Sequence, residues 1–120
     1  MKRNFDLIRK IMLDAEAMPA GSLPFSLEYP NEYSPEEVNA HVALLKDAGL
    51  LNASIASYVE GGGTHVIDGL TWDGHNFAQA VASASIWQKA FSIVKTKGAA
   101  MTFDVLKALL AKLALEAAGA

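Results

Sequence analysis

Apolar residues near the start of the chain recur at helical spacing. Phe5, Ile8, Met12 and Ala15 form a stripe that Leu7 and Ile11 broaden, and the charged side chains fall outside it. This predicts an amphipathic helix over residues 2–17, ended by Met18-Pro19-Ala20-Gly21. From Leu23 to Tyr29 the period drops to two, with Leu23, Phe25, Leu27 and Tyr29 alternating against Ser and Glu, which suits a short strand that Pro30 and Asn31 break. Ser34-Pro35-Glu36-Glu37 reads as a helix start: a capping hydroxyl, proline at the first helical position, and two acids at the positive end of the helix dipole. Val38, Val42 and Leu45, with Leu44 beside them, supply its apolar stripe, and Gly49 its left-handed end. Two β-prone runs, Leu50 to Val59 and Thr64 to Trp72, flank Glu60-Gly61-Gly62-Gly63 and predict a hairpin with a glycine tip. A helix capped by Thr71 or Asp73 then runs to about Lys97, with Phe77, Ala80, Val81, Ala84, Trp87, Phe91 and Val94 on one broad face. Gly98 ends it, and Thr102 opens a last helix with Phe103, Leu106, Leu109, Leu110, Leu113 and Ala117 in its stripe and Leu115 off it.

The order of helix, glycine-tipped hairpin and helix over Ser34 to Phe77 is the core of a winged-helix domain. The predicted fold class is therefore mostly α with a small β-hairpin (α+β): a winged-helix-like core over 1–80 followed by two C-terminal helices over 74–118, all in one domain spanning 1–120. A helix-turn-helix that reads DNA needs a short helix before the recognition helix. Here Phe25 to Tyr33 fills that place with strand-like, proline-broken sequence.

The ordered segments MKRNFDLIRKIM, LLKDAGLL, LTWDGHNF, IWQKAF and FDVLKALLAKL resemble the bacterial and phage family named domain of unknown function 2513, over Met1 to about Leu113. The resemblance implies a winged-helix-like fold in proteins often carried by prophages. It carries no established activity and so transfers no catalytic residue.

Composition narrows the function classes. With 52% hydrophobic residues and only four prolines the chain is compact rather than disordered, and with zero cysteines it has neither disulfides nor thiolate chemistry. No apolar run approaches the ~20 residues of a membrane helix, and charges interrupt the first apolar positions too early for a signal peptide. A cytoplasmic location is expected, which makes the Asn52-Ala53-Ser54 sequon a chance match. The net charge of −3 is uneven: through Asp73 five basic residues oppose eleven acids, giving −6, and beyond it five lysines oppose Asp104 and Glu116, giving +3.

That imbalance bears on DNA. The N-terminal turn of the helix at Ser34 would turn Glu36, Glu37 and Asn39 toward phosphates, with Glu28 and Glu32 just upstream, and duplex affinity rests on Lys and Arg. Glu28, Glu32, Glu36, Glu37 and Asn39 are accordingly candidates for binding a protein partner. A dimeric DNA-binding regulator is the runner-up and would use Lys2, Arg3, Asn39, His41 and Lys46. A third reading is an acidic inhibitor of host nucleic-acid machinery. Leu106, Leu109, Leu113 and Leu115 are candidates for self-association into a homodimer.

Other constellations carry less. His65 and Asp68 lie three apart on a strand and point to opposite faces, and no histidine pair has helical i, i+4 spacing, so no metal is expected. His75 reads as a structural residue bonding backbone where hairpin meets helix, and Trp72 and Trp87 as core. The glycines at 61–63 join strand to strand and lack a lysine, unlike a phosphate cradle. Glu36 and Glu37, adjacent on a helix, diverge by about 100° and cannot face each other as an acid–base pair. No cofactor and no enzymatic activity are expected.

Overall fold

The computed structural model describes residues 2–22, 24–57, 63–97 and 103–119. Leu23, the expected hairpin tip at Glu60 to Gly62 with Tyr58 and Val59 before it, the stop at Gly98 and the cap at Thr102 lie outside them, as do the side chains of Val94, Lys95, Lys97, Phe103 and Ala117. The elements are α1 (Phe5–Glu16), α2 (Pro35–Asp47), β1 (Leu51–Ser57), β2 (Gly63–Leu70), α3 (Trp72–Ala82), α4 (Ala84–Lys97) and α5 (Phe103–Gly119). The fold is mostly helical with one antiparallel hairpin, an α+β arrangement. The chain forms two compact units, residues 1–75 and 76–120.

In the first unit α1 packs on α2 and β2, and α2 packs on both strands. The core is the pair of helical stripes, Leu7, Ile8, Ile11, Met12 and Ala15 with Val38, Val42 and Leu45, closed by Leu50, Leu51, Ala53 and Ile67. Full burial of each large side chain stabilises the unit by about 1.5–3 kcal/mol, so helical spacing selects these faces. Asn4 caps α1 by accepting from the Leu7 amide, and Ser34 caps α2 by accepting from the Glu37 amide, with Pro35 at its first position. At the other end of α2, Gly49 (φ +78°) takes the left-handed turn. The Gly49 and Leu50 amides reach back to the Lys46 and Leu45 carbonyls, satisfying two of the helix's last acceptors.

The hairpin then returns to this turn. Thr71 donates its hydroxyl to the Gly49 carbonyl and accepts from the Gly74 amide, so Thr71 caps α3 and ties it to the end of α2. Gly74 lies against the Leu50 carbonyl so closely that a Cβ there would sit 2.0 Å from its oxygen. Glycine is required at this position by space rather than by φ.

Three expectations are corrected. The strand expected from 23 to 29 is an extended segment joined to β2 by one bridge, Phe25 to Ile67. The single helix expected from 74 to 97 is two helices parted at Ser83, whose hydroxyl accepts from the Ile86 amide and restarts the helix as a cap. Trp72 is not core: it is 83% exposed at the first position of α3, whereas Trp87 is buried and meets Phe91 edge-on at 4.8 Å. In the second unit α4 packs against α5, with Leu106, Leu110 and Leu113 buried. No helix among the described residues is long and apolar enough to cross a membrane.

Candidate functional site

A cavity of about 590 Å³ opens in the first unit between the segment 26–35, the first turns of α2 and the start of β2. It exists because the extended segment separates from β2 after a single rung. Phe25 and Ile67 exchange both backbone hydrogen bonds, at 3.0 and 2.7 Å. The next rung of an antiparallel ladder would join Leu27 to His65, two residues on along each strand. Instead the Leu27 amide donates to His65 Nε2 at 3.0 Å, and the Ser26 hydroxyl donates to the His65 carbonyl. The His65 side chain thus replaces a backbone rung.

Asn39 completes that wall. Its Nδ2 donates to the Gly63 carbonyl at 2.8 Å and its Oδ1 accepts from His65 Nδ1, so α2, β2 and the extended segment meet at one amide and one imidazole. With Nε2 accepting an amide N–H, the ring proton resides on Nδ1 and His65 is neutral. Burial pushes the imidazole below its ordinary value, and the Glu28 carboxylate pulls it partly back. The unfolded chain therefore takes up this proton first as pH falls. His65's contribution to stability is complete above about pH 6.5 and is lost as pH drops through the folded value. Urea melts between pH 7.5 and 5 should show that decline.

The opposite wall is anchored to α1. The Tyr29 carbonyl accepts from the Glu32 and Tyr33 amides, forming the turn at Pro30-Asn31. The Tyr29 hydroxyl donates to Asp14 at 2.6 Å, and Lys10 reaches both Glu32 oxygens at 2.8 and 2.9 Å while lying 5.0 Å from the Tyr29 ring centroid. Burial, then the Asp14 bond, pushes the Tyr29 hydroxyl up, and the Glu32 carboxylate pushes the exposed Lys10 ammonium up. Tyr33 stands edge-on to Tyr29 at 6.2 Å. Glu28, Glu32 and Asn39 of the expected partner-binding set therefore line one groove with both tyrosines, while Glu36 is exposed on the first turn of α2 and Glu37 is half-buried beside it.

The set proposed for DNA does not come together. His41 is 0% exposed: its Nε2 accepts from the Asn4 amide at 2.9 Å and its Nδ1 donates to the Glu37 carbonyl at 2.7 Å, so the ring fastens the start of α1 to α2 and cannot reach a phosphate. Asn39 has both amide atoms engaged within the chain. Lys2, Arg3 and Lys46 are exposed, Arg3 lying 5.7 Å from the Phe5 ring centroid and Lys46 in the last turn of α2. The four leucines expected to self-associate do not share an exposed stripe. Leu106 and Leu113 are buried and Leu109 is half-buried within the helical unit, because their spacing turns them inward; Leu115 alone of the four is exposed, at 75%. His75 does not hold backbone through its ring; its Nδ1 lies 3.7 Å from Glu16 on α1.

Sequence reasoning missed His65 as a wall residue, since its partners at 26, 27 and 39 are distant along the chain. For His41 the signal was available: Val38, His41, Val42 and Leu45 share one helical stripe. Among the described residues no group of three or more His, Asp or Glu is placed to hold a metal ion. What the groove offers is recognition chemistry: carboxylate acceptors, aromatic edges and an apolar floor at Leu27 and Val38.

Comparison with known proteins agrees with this span of sequence. The chain is 29% identical over 107 residues to an uncharacterized protein of Haemophilus influenzae, covering 89% of this chain and 90% of that one. No solved structure matches it. The model of a family described as hypothetical protein (DUF2513) matches residues 2–100, and the chain belongs to that family.

Proposed function

We propose that this chain is a non-enzymatic protein-interaction module whose groove takes an extended, basic segment of a partner protein. The observation that carries the reading is the groove itself: about 590 Å³, lined by Glu28 and Glu32 with Tyr29, Tyr33 and Asn39. Lysine and arginine side chains suit that lining, since their heads pair with carboxylates while their stems and planes lie along tyrosine rings. Glu32 is already bonded to Lys10, which leaves Glu28 the freer acceptor within the groove and Glu36 a further exposed charge nearby. In the winged-helix-like reading of α1, α2 and the hairpin, this groove stands where the missing first helix of a DNA reader would sit. The surface there is acidic, which favours a basic peptide over a phosphate backbone.

The test is fluorescence anisotropy with a labelled lysine- and arginine-rich peptide. Replacing Glu28 and Glu36 together by Gln should weaken binding about fivefold, from roughly 0.5 kcal/mol per exposed pair. An unchanged dissociation constant would remove the acidic groove as the binding site.

A further inference from the structure

The two walls of the groove are joined through His65, and the bond that joins them requires the imidazole to be neutral. Nε2 accepts the Leu27 amide at 3.0 Å, while Nδ1 is committed to Asn39. A second proton has to enter at Nε2, where it would face another N–H donor. Two donors cannot share a hydrogen bond, so protonation releases Leu27 and with it the groove wall that continues into Glu28 and Tyr29. Among the described residues, the groups around the ring leave one charged neighbour, Glu28. From the extended segment come Ser26, Leu27 and Glu28, from α2 the uncharged Asn39, and across β1 the apolar Ile55 in register. Glu28 is the carboxylate that acts on the ring, and it also lines the groove.

We propose that occupancy of this groove is proton-linked: a proton on His65 and a cationic side chain of the partner compete for the Glu28 carboxylate and for the closed position of Leu27. Basic segments are held while His65 is neutral and released as it titrates. By linkage, a bound cation must make His65 harder to protonate by the same factor. The inference rests on the basic-segment reading of the groove and adds its regulation. The direction of the ring's shift accords with it, since a site that stays neutral until pH falls below the ordinary histidine range keeps its ligand near neutrality.

The experiment is an NMR titration of the isotope-labelled full chain, alone and with the peptide acetyl-Ala-Lys-Ala-Arg-Ala-Lys-amide, at pH 7.5 and in steps down to 5. In the free protein the Leu27 amide should move with the same midpoint as the His65 ring. The peptide should perturb Leu27, Asn39 and Thr64 at pH 7.5 and bind at least about fivefold more weakly at pH 5. His65→Gln, whose amide oxygen can accept from Leu27 without titrating, should bind the peptide equally at both pH values. If the peptide binds the natural chain equally at both, or if Leu27 ignores the His65 titration, the proton link is overturned while the groove keeps its ligand. If Leu27 follows His65 and the peptide fails to bind at pH 7.5, the basic-segment reading falls and the inference falls with it. The wild-type titration does not depend on the folding of any variant.

Discussion

Gly74→Ala should lower stability by about 3–5 kcal/mol, beyond the usual cost of overpacking, and reduce the melting temperature by roughly 10–20 °C. The added Cβ would lie 2.0 Å from the Leu50 carbonyl oxygen, 3.0 Å from its carbon and 3.2 Å from the Leu70 Cβ. Two of these atoms are backbone, and the same Leu50 carbonyl accepts the Thr71 amide. Relief requires moving the junction where α2, the hairpin and α3 meet, so no side-chain rotation absorbs it. Gly49→Ala is the informative comparison. Gly49 has φ +78°, and a methyl added there would meet no atom within 4 Å, so only the left-handed conformation is penalised, at about 1–2 kcal/mol. Thermal melts followed by circular dichroism should rank the two variants in that order. A Gly74→Ala protein that melts with the natural chain would contradict the close approach.

His41→Ala should cost about 2–4 kcal/mol, because it opens a cavity and strands a buried amide donor and a carbonyl acceptor. The loss should begin at the first turn of α1. The Asn4 amide loses its acceptor, and Asn4 both caps that helix through Leu7 and accepts the Ile8 amide. Hydrogen exchange at Leu7 and Ile8 should therefore accelerate more than exchange in β2. Lys46→Ala, on the same helix but exposed, should change stability by less than about 0.5 kcal/mol. If His41→Ala were as stable as Lys46→Ala, the imidazole would not be the fastening between α1 and α2.

These two residues also mark what the sequence makes legible. The stripes of α1 and α2, the Ser34 cap, Pro35 and the Gly49 turn are local signals, and the structure uses them as local physics requires. Gly74 was visible as a residue of a short motif, but its reason is a contact with Leu50, 24 positions away, which no periodicity encodes. The break at Ser83 was hidden because an apolar pattern continues through it; the restart changes which alanines are inward, burying Ala78 and Ala90 while Ala84 is exposed. Charge and helix position single out Glu28, Glu32 and Asn39 in the sequence, and the three line one groove. What joins that groove's walls, His65 with Leu27 and Asn39, depends on how far one extended segment stays paired with β2. Only the assembled chain determines that.

Under the proposed function, recognition resides in the acidic groove rather than in the scattered exposed cations. This is tested most directly by titrating the labelled protein, at 150 mM salt as a roughly physiological level, with the lysine–arginine peptide and separately with a short mixed-sequence DNA duplex. Peptide should shift signals only in the groove, at Leu27 to Ser34, Asn39 and Gly63 to His65, and duplex should shift none. Duplex-induced shifts at Lys2, Arg3 and Lys46, with a silent groove under peptide, would contradict that reading.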